Sequence, residues 1–284
     1  MNPALTRIRA AATARGEPLA EAVRHHLILG AIARIARAPE GASFVLRGGV
    51  LTRAWIAPLR RPARDLDYVG DFPFDVDDTA RRLRPALATE LPDGVRIDAA
   101  RATFRGIWQG TAFPGVRVEL ALGLGRADQQ LSIDIGFGDP LVPPAMVIVL
   151  GDVLGDVLGD VLSDARDGIA VRAVRPETQL AWKLHGLAEM GPSWRPKDLA
   201  DLWAIATRVP LEAAALPPAI AAAFESRGFP ISAAAEILYA EHWSTKTARL
   251  KWAAQPRDGV PDLAQTLADV RERLAPVLEP RQPR

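Results

Sequence analysis

Phe44-Val45-Leu46-Arg47-Gly48-Gly49, Arg61-Pro62-Ala63-Arg64-Asp65-Leu66-Asp67 and Leu131-Ser132-Ile133-Asp134-Ile135 carry the reading of this chain. The first is a short apolar run ending at a glycine pair. The second sets two carboxylates in alternation, and the third places one more carboxylate on a later apolar strand. Alternate residues of a strand point to one face and lie roughly 6.5–7 Å apart along it. Asp65 and Asp67 can therefore bracket divalent ions, which sit about 3.5–4 Å apart in two-metal phosphoryl-transfer sites. Leu66, between them, is expected to face the core.

Composition narrows the classes. With 284 residues, 49% hydrophobic and 24% charged, the chain reads as globular, with room for one large domain or two moderate ones. The lack of cysteine excludes disulfides, thiolate metal sites and cysteine nucleophiles, and fits a cytoplasmic protein. The N-terminus sets Arg7, Arg9 and Arg15 among alanines, without the apolar core of a secretory signal. No apolar run approaches the ~20 residues that span a bilayer, so no membrane partner is expected. Net charge is +1, yet residues 41–64 hold five arginines and no acid. Such a cationic stretch beside carboxylates suits polyanions such as nucleotides or RNA. Lysine is scarce, with only Lys183, Lys197, Lys246 and Lys251.

Periodicity predicts one or two helices over residues 3–37, broken at Gly16 and Pro18. A strand at 44–46, a helix at 50–56, a strand at 65–69 and a helix at 76–90 follow. Alternation predicts strands at 95–97, 103–108, 116–122 and 131–135. Helices are expected at 176–190, 197–206, 213–224, 233–252 and 263–278. These divide as N-terminal helices (1–40), an α/β core (41–150), a connector (151–175) and a helical C-terminal domain (176–284). The connector repeats Gly-Asp-Val-Leu three times from Gly151 to Leu162. It lacks the alternating oxygen ligands of a calcium loop and reads as an expanded repeat in a tolerant connection.

Taken in order, Phe-Val-Leu-Arg-Gly-Gly, Arg-Pro-Ala-Arg-Asp-Leu-Asp, Asp-Gly-Val (93–95), Gly-Val-Arg-Val (115–118), Ile-Asp-Ile-Gly-Phe-Gly-Asp (133–139), Pro-Glu-Thr (176–178) with Lys183-Leu184, and Arg-Pro-Lys-Asp-Leu-Ala-Asp-Leu-Trp (195–203) resemble the AbiEii/AbiGii-type nucleotidyltransferase toxins of bacteria. These belong to the DNA polymerase β-like superfamily. The resemblance implies an α+β fold, with a mixed sheet flanked by helices, an N-terminal helical segment and a C-terminal helical domain. It implies Asp65, Asp67 and Asp134 as catalytic carboxylates and ligands of Mg²⁺ or Mn²⁺, with Lys183 and Asp198 as further catalytic residues. Gly48, Gly49, Arg61, Arg64 and Lys183 would bind the nucleoside triphosphate. Three departures stand out: Ala63 where the family has Ser or Thr, Trp182 where Glu is common, and Arg47 for the usual lysine.

The function so implied is transfer of a nucleoside monophosphate from an NTP to an acceptor hydroxyl, with an RNA acceptor such as the tRNA 3′ end. The protein would be the toxin of a toxin–antitoxin or phage-defence pair, with a cognate antitoxin as partner. Two alternatives are a non-catalytic nucleotide- or RNA-binding descendant and a small-molecule, antibiotic-type nucleotidyltransferase. Tyr239, Trp243, Lys246, Arg249, Lys251 and Trp252 interleave aromatic and basic residues that could grip RNA. A packed helix with a solvated face accounts for them as well. No histidine falls at metal-ligand spacing.

Overall fold

The computed structural model describes residues 3–57, 59, 61–150, 168–254 and 259–278. The Gly-Asp-Val-Leu repeats lie outside the described residues. The chain divides into two compact units: residues 1–57, 61–139 and 146–173, and residues 58–60, 140–145 and 174–284.

The first unit opens with α1 (Pro3–Ala14) and α2 (Leu19–Arg37), separated by Gly16 at φ +62° and by Pro18. Next come β1 (Phe44–Arg47), α3 (Gly48–Ile56), β2 (Leu66–Gly70), α4 (Val76–Leu87), β3 (Val95–Ile97), β4 (Thr103–Ile107), β5 (Gly115–Leu124) and β6 (Ala127–Gly136). Two short strands, β7 (Met146–Val149) and β8 (Ala170–Ala173), complete the unit. Together they form one mixed sheet in the order β3-β5-β6-β2-β1-β8-β7, with β4 also pairing β5. β2 runs parallel to β6 and β1 parallel to β8, while β1–β2 and β5–β6 are antiparallel. The sheet flanked by helices is the α+β class that the resemblance implied.

Alternation sorts the central strands. Leu46, Leu66, Ile133, Ile135, Val116 and Val118 share one face and are fully buried. α2 is anchored by Arg34, which forks onto Asp93 at 2.6 and 3.1 Å and donates to the carbonyl of Val95. Both charges are excluded from water, a situation tolerated only when the ions are paired and hydrogen-bonded. The reading of residues 151–175 as connector missed β8, and no strand was expected where β7 lies. Asp65, expected as the first residue of its strand, stands in the bend just before β2.

The second unit is helical: α5 (Pro176–Met190), α6 (Pro196–Arg208), α7 (Leu216–Glu225), α8 (Ser232–Leu238), α9 (Lys246–Ala253) and α10 (Leu263–Leu278). The single helix expected over 233–252 is two, divided by a 3₁₀ turn at Glu241–Ser244. The break is built in. The Trp243 indole donates to the last-turn carbonyl of Ile237 at 2.6 Å, and Thr245 caps α9 by accepting from the Ala248 amide.

Candidate active site

Four strands set four charges in one row. Arg47 on β1 pairs with Asp67 on β2, Asp67 with Asp134 on β6, and Asp134 with Arg117 on β5. Cross-strand partners point to the same face, so the carboxylates are neighbours flanked by guanidinium groups. The sequence, which placed Asp67 and Asp134 on separate strands, did not reveal that those strands are adjacent and in register.

Each flanking arginine has a defined partner. Arg117 grips Asp134 through two parallel bonds, Nε to Oδ1 and Nη2 to Oδ2, both 2.6 Å. That fork is the strongest geometry for an arginine and a carboxylate. Its bond to Asp134 outweighs the opposing burial and raises the Arg117 pKa, and the nearby charge of Asp65 adds to the effect. Arg47 donates to Asp139 at 2.9 Å. Arg117 and Asp139 both fall within the quoted motifs, yet the sequence assigned them no role. Their signal was sign: Arg117 is a charge within an apolar strand, and Asp139 one in the glycine-rich segment just after β6.

The glycine turn is filled by side chains. Gly48 sits at φ +77°, where a Cβ would lie 2.1 Å from an Asp67 carboxylate oxygen. A Cβ on Gly49 would lie 2.5 Å from the Arg61 guanidinium, which itself donates to the Pro62 carbonyl at 2.6 Å. These glycines thus let a carboxylate and a cation close on the first turn of α3, the end of the helix that favours anions. The Arg64 side chain is exposed, and its carbonyl accepts from Arg24. Arg24 also donates to the Gln130 carbonyl at 3.1 Å. It therefore ties the segment before Asp65 to the start of β6, a positioning role the sequence did not disclose.

The donors offered to a divalent ion are carboxylate oxygens, which suit Mg²⁺ or Mn²⁺. Among the described residues, no group of three or more His, Cys, Asp or Glu side chains is gathered to hold an ion. Asp134, expected as the third ligand, has both oxygens engaged by Arg117. Asp65 and Asp67 have the donor chemistry for such an ion, since magnesium often takes one or two carboxylates and fills its octahedron with water and phosphate.

In the second unit, Lys183 on α5 reaches two carboxylates of α6, Asp198 at 2.8 Å and Asp201 at 2.9 Å. Arg195 adds a bond to Asp198 at 2.5 Å. Burial works against the Asp198 charge, but Lys183 and Arg195 together bring its pKa below the ordinary carboxylate range. Asp201 is thus paired with a lysine of the neighbouring helix. The aromatic–basic run proves mainly structural. Trp243 packs on Trp194 with ring centroids 4.8 Å apart, and Lys251 lies over the Trp194 ring. His185 packs edge-on against Phe224 and Phe229.

The family model described as nucleotidyl transferase AbiEii toxin, type IV toxin–antitoxin system, matches residues 30–275. The chain belongs to that family. AbiEii membership makes it a nucleotidyltransferase and the toxin of a toxin–antitoxin pair, and it implies an antitoxin partner and a nucleotide substrate. Among solved structures, it is similar to a "putative nucleotidyltransferase from H. pylori", with 12% identity, TM-score 0.42 and coverage of 91% of this chain and 95% of that one. JHP933 from Helicobacter pylori is similar at 12% identity and TM-score 0.42, with 90% of each chain covered. No curated protein matches. Among the described residues, no helix is long and apolar enough to cross a membrane.

Proposed function

We propose that this AbiEii-family chain moves a nucleoside monophosphate from an NTP to a hydroxyl of RNA, with the tRNA 3′ end as acceptor, in a reaction dependent on Mg²⁺ or Mn²⁺. The observation that carries this reading is the row Arg47–Asp67–Asp134–Arg117 across four adjacent strands, with Asp65 immediately before it. Asp65 and Asp67 would hold the metal, which supplies Lewis-acid polarisation of the α-phosphate. Arg61, at the first turn of α3, would meet triphosphate oxygens, and the exposed Arg64 would add charge beside it. An arriving phosphate is a competing bidentate acceptor for Arg117. Once Arg117 turns to it, Asp134 is released to accept the proton of the attacking hydroxyl or to join Asp65 and Asp67 as a ligand.

The test is incubation of purified protein with α-labelled NTPs, total RNA and magnesium, alongside Asp65→Asn and Asp67→Asn. Label enters RNA with the wild type, and each variant loses at least about 100-fold in rate while melting as a folded protein. Chelation of the metal stops incorporation, and expression of the wild type, but of neither variant, arrests growth. Transfer by Asp67→Asn at the wild-type rate would overturn the assignment. Label appearing only in a small molecule would redirect it to another acceptor.

A further inference from the structure

Trp108 follows β4 directly and is the one non-glycine residue with positive φ among the described residues, at +53°. A bulky side chain in that region is disfavoured and persists only where the surroundings enforce it. Here the Trp108 carbonyl accepts from the Thr111 amide at 3.0 Å and from the Thr111 hydroxyl at 2.8 Å. The enforced conformation does not bury the ring, since Trp108 is 55% exposed. Keeping a large indole in water through a strained backbone is unfavourable for stability, so a ligand is the reason to look for.

The ring's position is specific. Gly115 and Gly136 are cross-strand partners, two residues from Arg117 and Asp134 respectively, and so lie on the carboxylate face. A Cβ on Gly115 would lie 3.1 Å from Trp108 Cε3, which puts the indole against this glycine. A Cβ on Gly136 would lie 3.5 Å from Asp139 Oδ2 and 4.0 Å from Arg47 Nη1. The two glycines thus make a floor of bare backbone, walled by the Arg47–Asp139 ion pair on one side and the indole on the other. Sheet spacings place the Gly115 end of this floor roughly 12 Å from Asp67, within the length of a dinucleotide. Arg105 and Arg117 are cross-strand partners next along the same face.

We infer that Trp108 is a stacking platform for a nucleobase whose phosphates reach the carboxylate row. Every base has a π-face, and an aromatic ring beside arginines is the recurring way to hold one. This rests on the transferase reading above, and the base belongs either to the NTP or to the single-stranded acceptor.

Equilibrium binding separates the cases. Titrate wild type, Trp108→Phe and Trp108→Gly with each NTP, with a short single-stranded RNA, and with inorganic triphosphate as a base-free probe. Trp108→Gly should weaken at least one base-bearing ligand by roughly 5- to 100-fold, Trp108→Phe should retain most of the affinity, and inorganic triphosphate should bind all three proteins alike. Loss confined to NTPs assigns the base to the nucleotide; loss confined to RNA assigns it to the acceptor. Glycine relieves the positive φ, so Trp108→Gly should melt no lower than wild type. Unchanged binding of both base-bearing ligands overturns the platform while leaving the transferase intact. Equal weakening of inorganic triphosphate would show a merely structural residue and overturn it too. A wild type that binds no base and transfers no label brings down both readings.

Discussion

Removing the Arg117 guanidinium would leave the Asp134 carboxylate beside Asp67 with its fork gone. Both partners are partly exposed, at 32% and 19%, so water compensates and Arg117→Ala should cost only about 1 kcal/mol in urea unfolding. Transfer should fall far more, at least about tenfold. Arg117→Lys should restore little of it, because an ammonium cannot make the two parallel bonds. Lys183 behaves in the opposite way. Asp201 is 1% exposed and Asp198 is also buried, so Lys183→Met takes a cation from two buried carboxylates, of which Asp198 keeps Arg195. It should cost about 3–5 kcal/mol by chemical denaturation, and activity lost by that variant is informative only beside its stability. The carboxylates of both groups were legible, because an Asp inside an apolar alternation or on a helix after a motif is conspicuous. Their cationic partners were not. Which arginine faces Asp134 depends on strand register, and which lysine faces Asp201 depends on how two helices pack.

At the level of elements, the β1–α3 junction is the most demanding. Gly48→Ala meets both a positive φ and the Asp67 carboxylate, so it should cost about 1–3 kcal/mol from the backbone alone. It should also reduce transfer by displacing Asp67, measurable as lost rate in protein that is still folded. The glycine pair signalled a tight turn, but not that the space above it is taken by Asp67 and Arg61. Long periodic helices and the central strands were readable from spacing. β7 and β8, of four residues each, are too short to show a clear alternation and flank a low-complexity repeat. The α8–α9 break was equally hidden, since an indole bond to a helix-end carbonyl leaves no periodic trace.

For the whole chain, buried histidines set the response to acid. Burial lowers the pKa of His25 well below 6.5, and the charges of Arg53 and Arg15 lower it further. Burial also lowers that of His26, although its bond to the Asp93 carbonyl works the other way. The unfolded chain therefore binds more protons than the folded one once pH drops below about 6.5, and stability falls from there downward. Thermal melts from pH 8 to pH 5 should show a plateau above that value and a decline below it, with a shallower decline in His25→Leu. The class of fold and the family were readable because many weak motifs occur in one order.

The ladder of β7 and β8 has one more consequence. Val149 pairs with Ala170, and the Leu150 amide donates to the Ile169 carbonyl at 2.9 Å, so the sheet is already sealed where the Gly-Asp-Val-Leu tandem leaves and re-enters. The pairing of these two short strands therefore rests on backbone bonds, which do not depend on the identity of the side chains they carry.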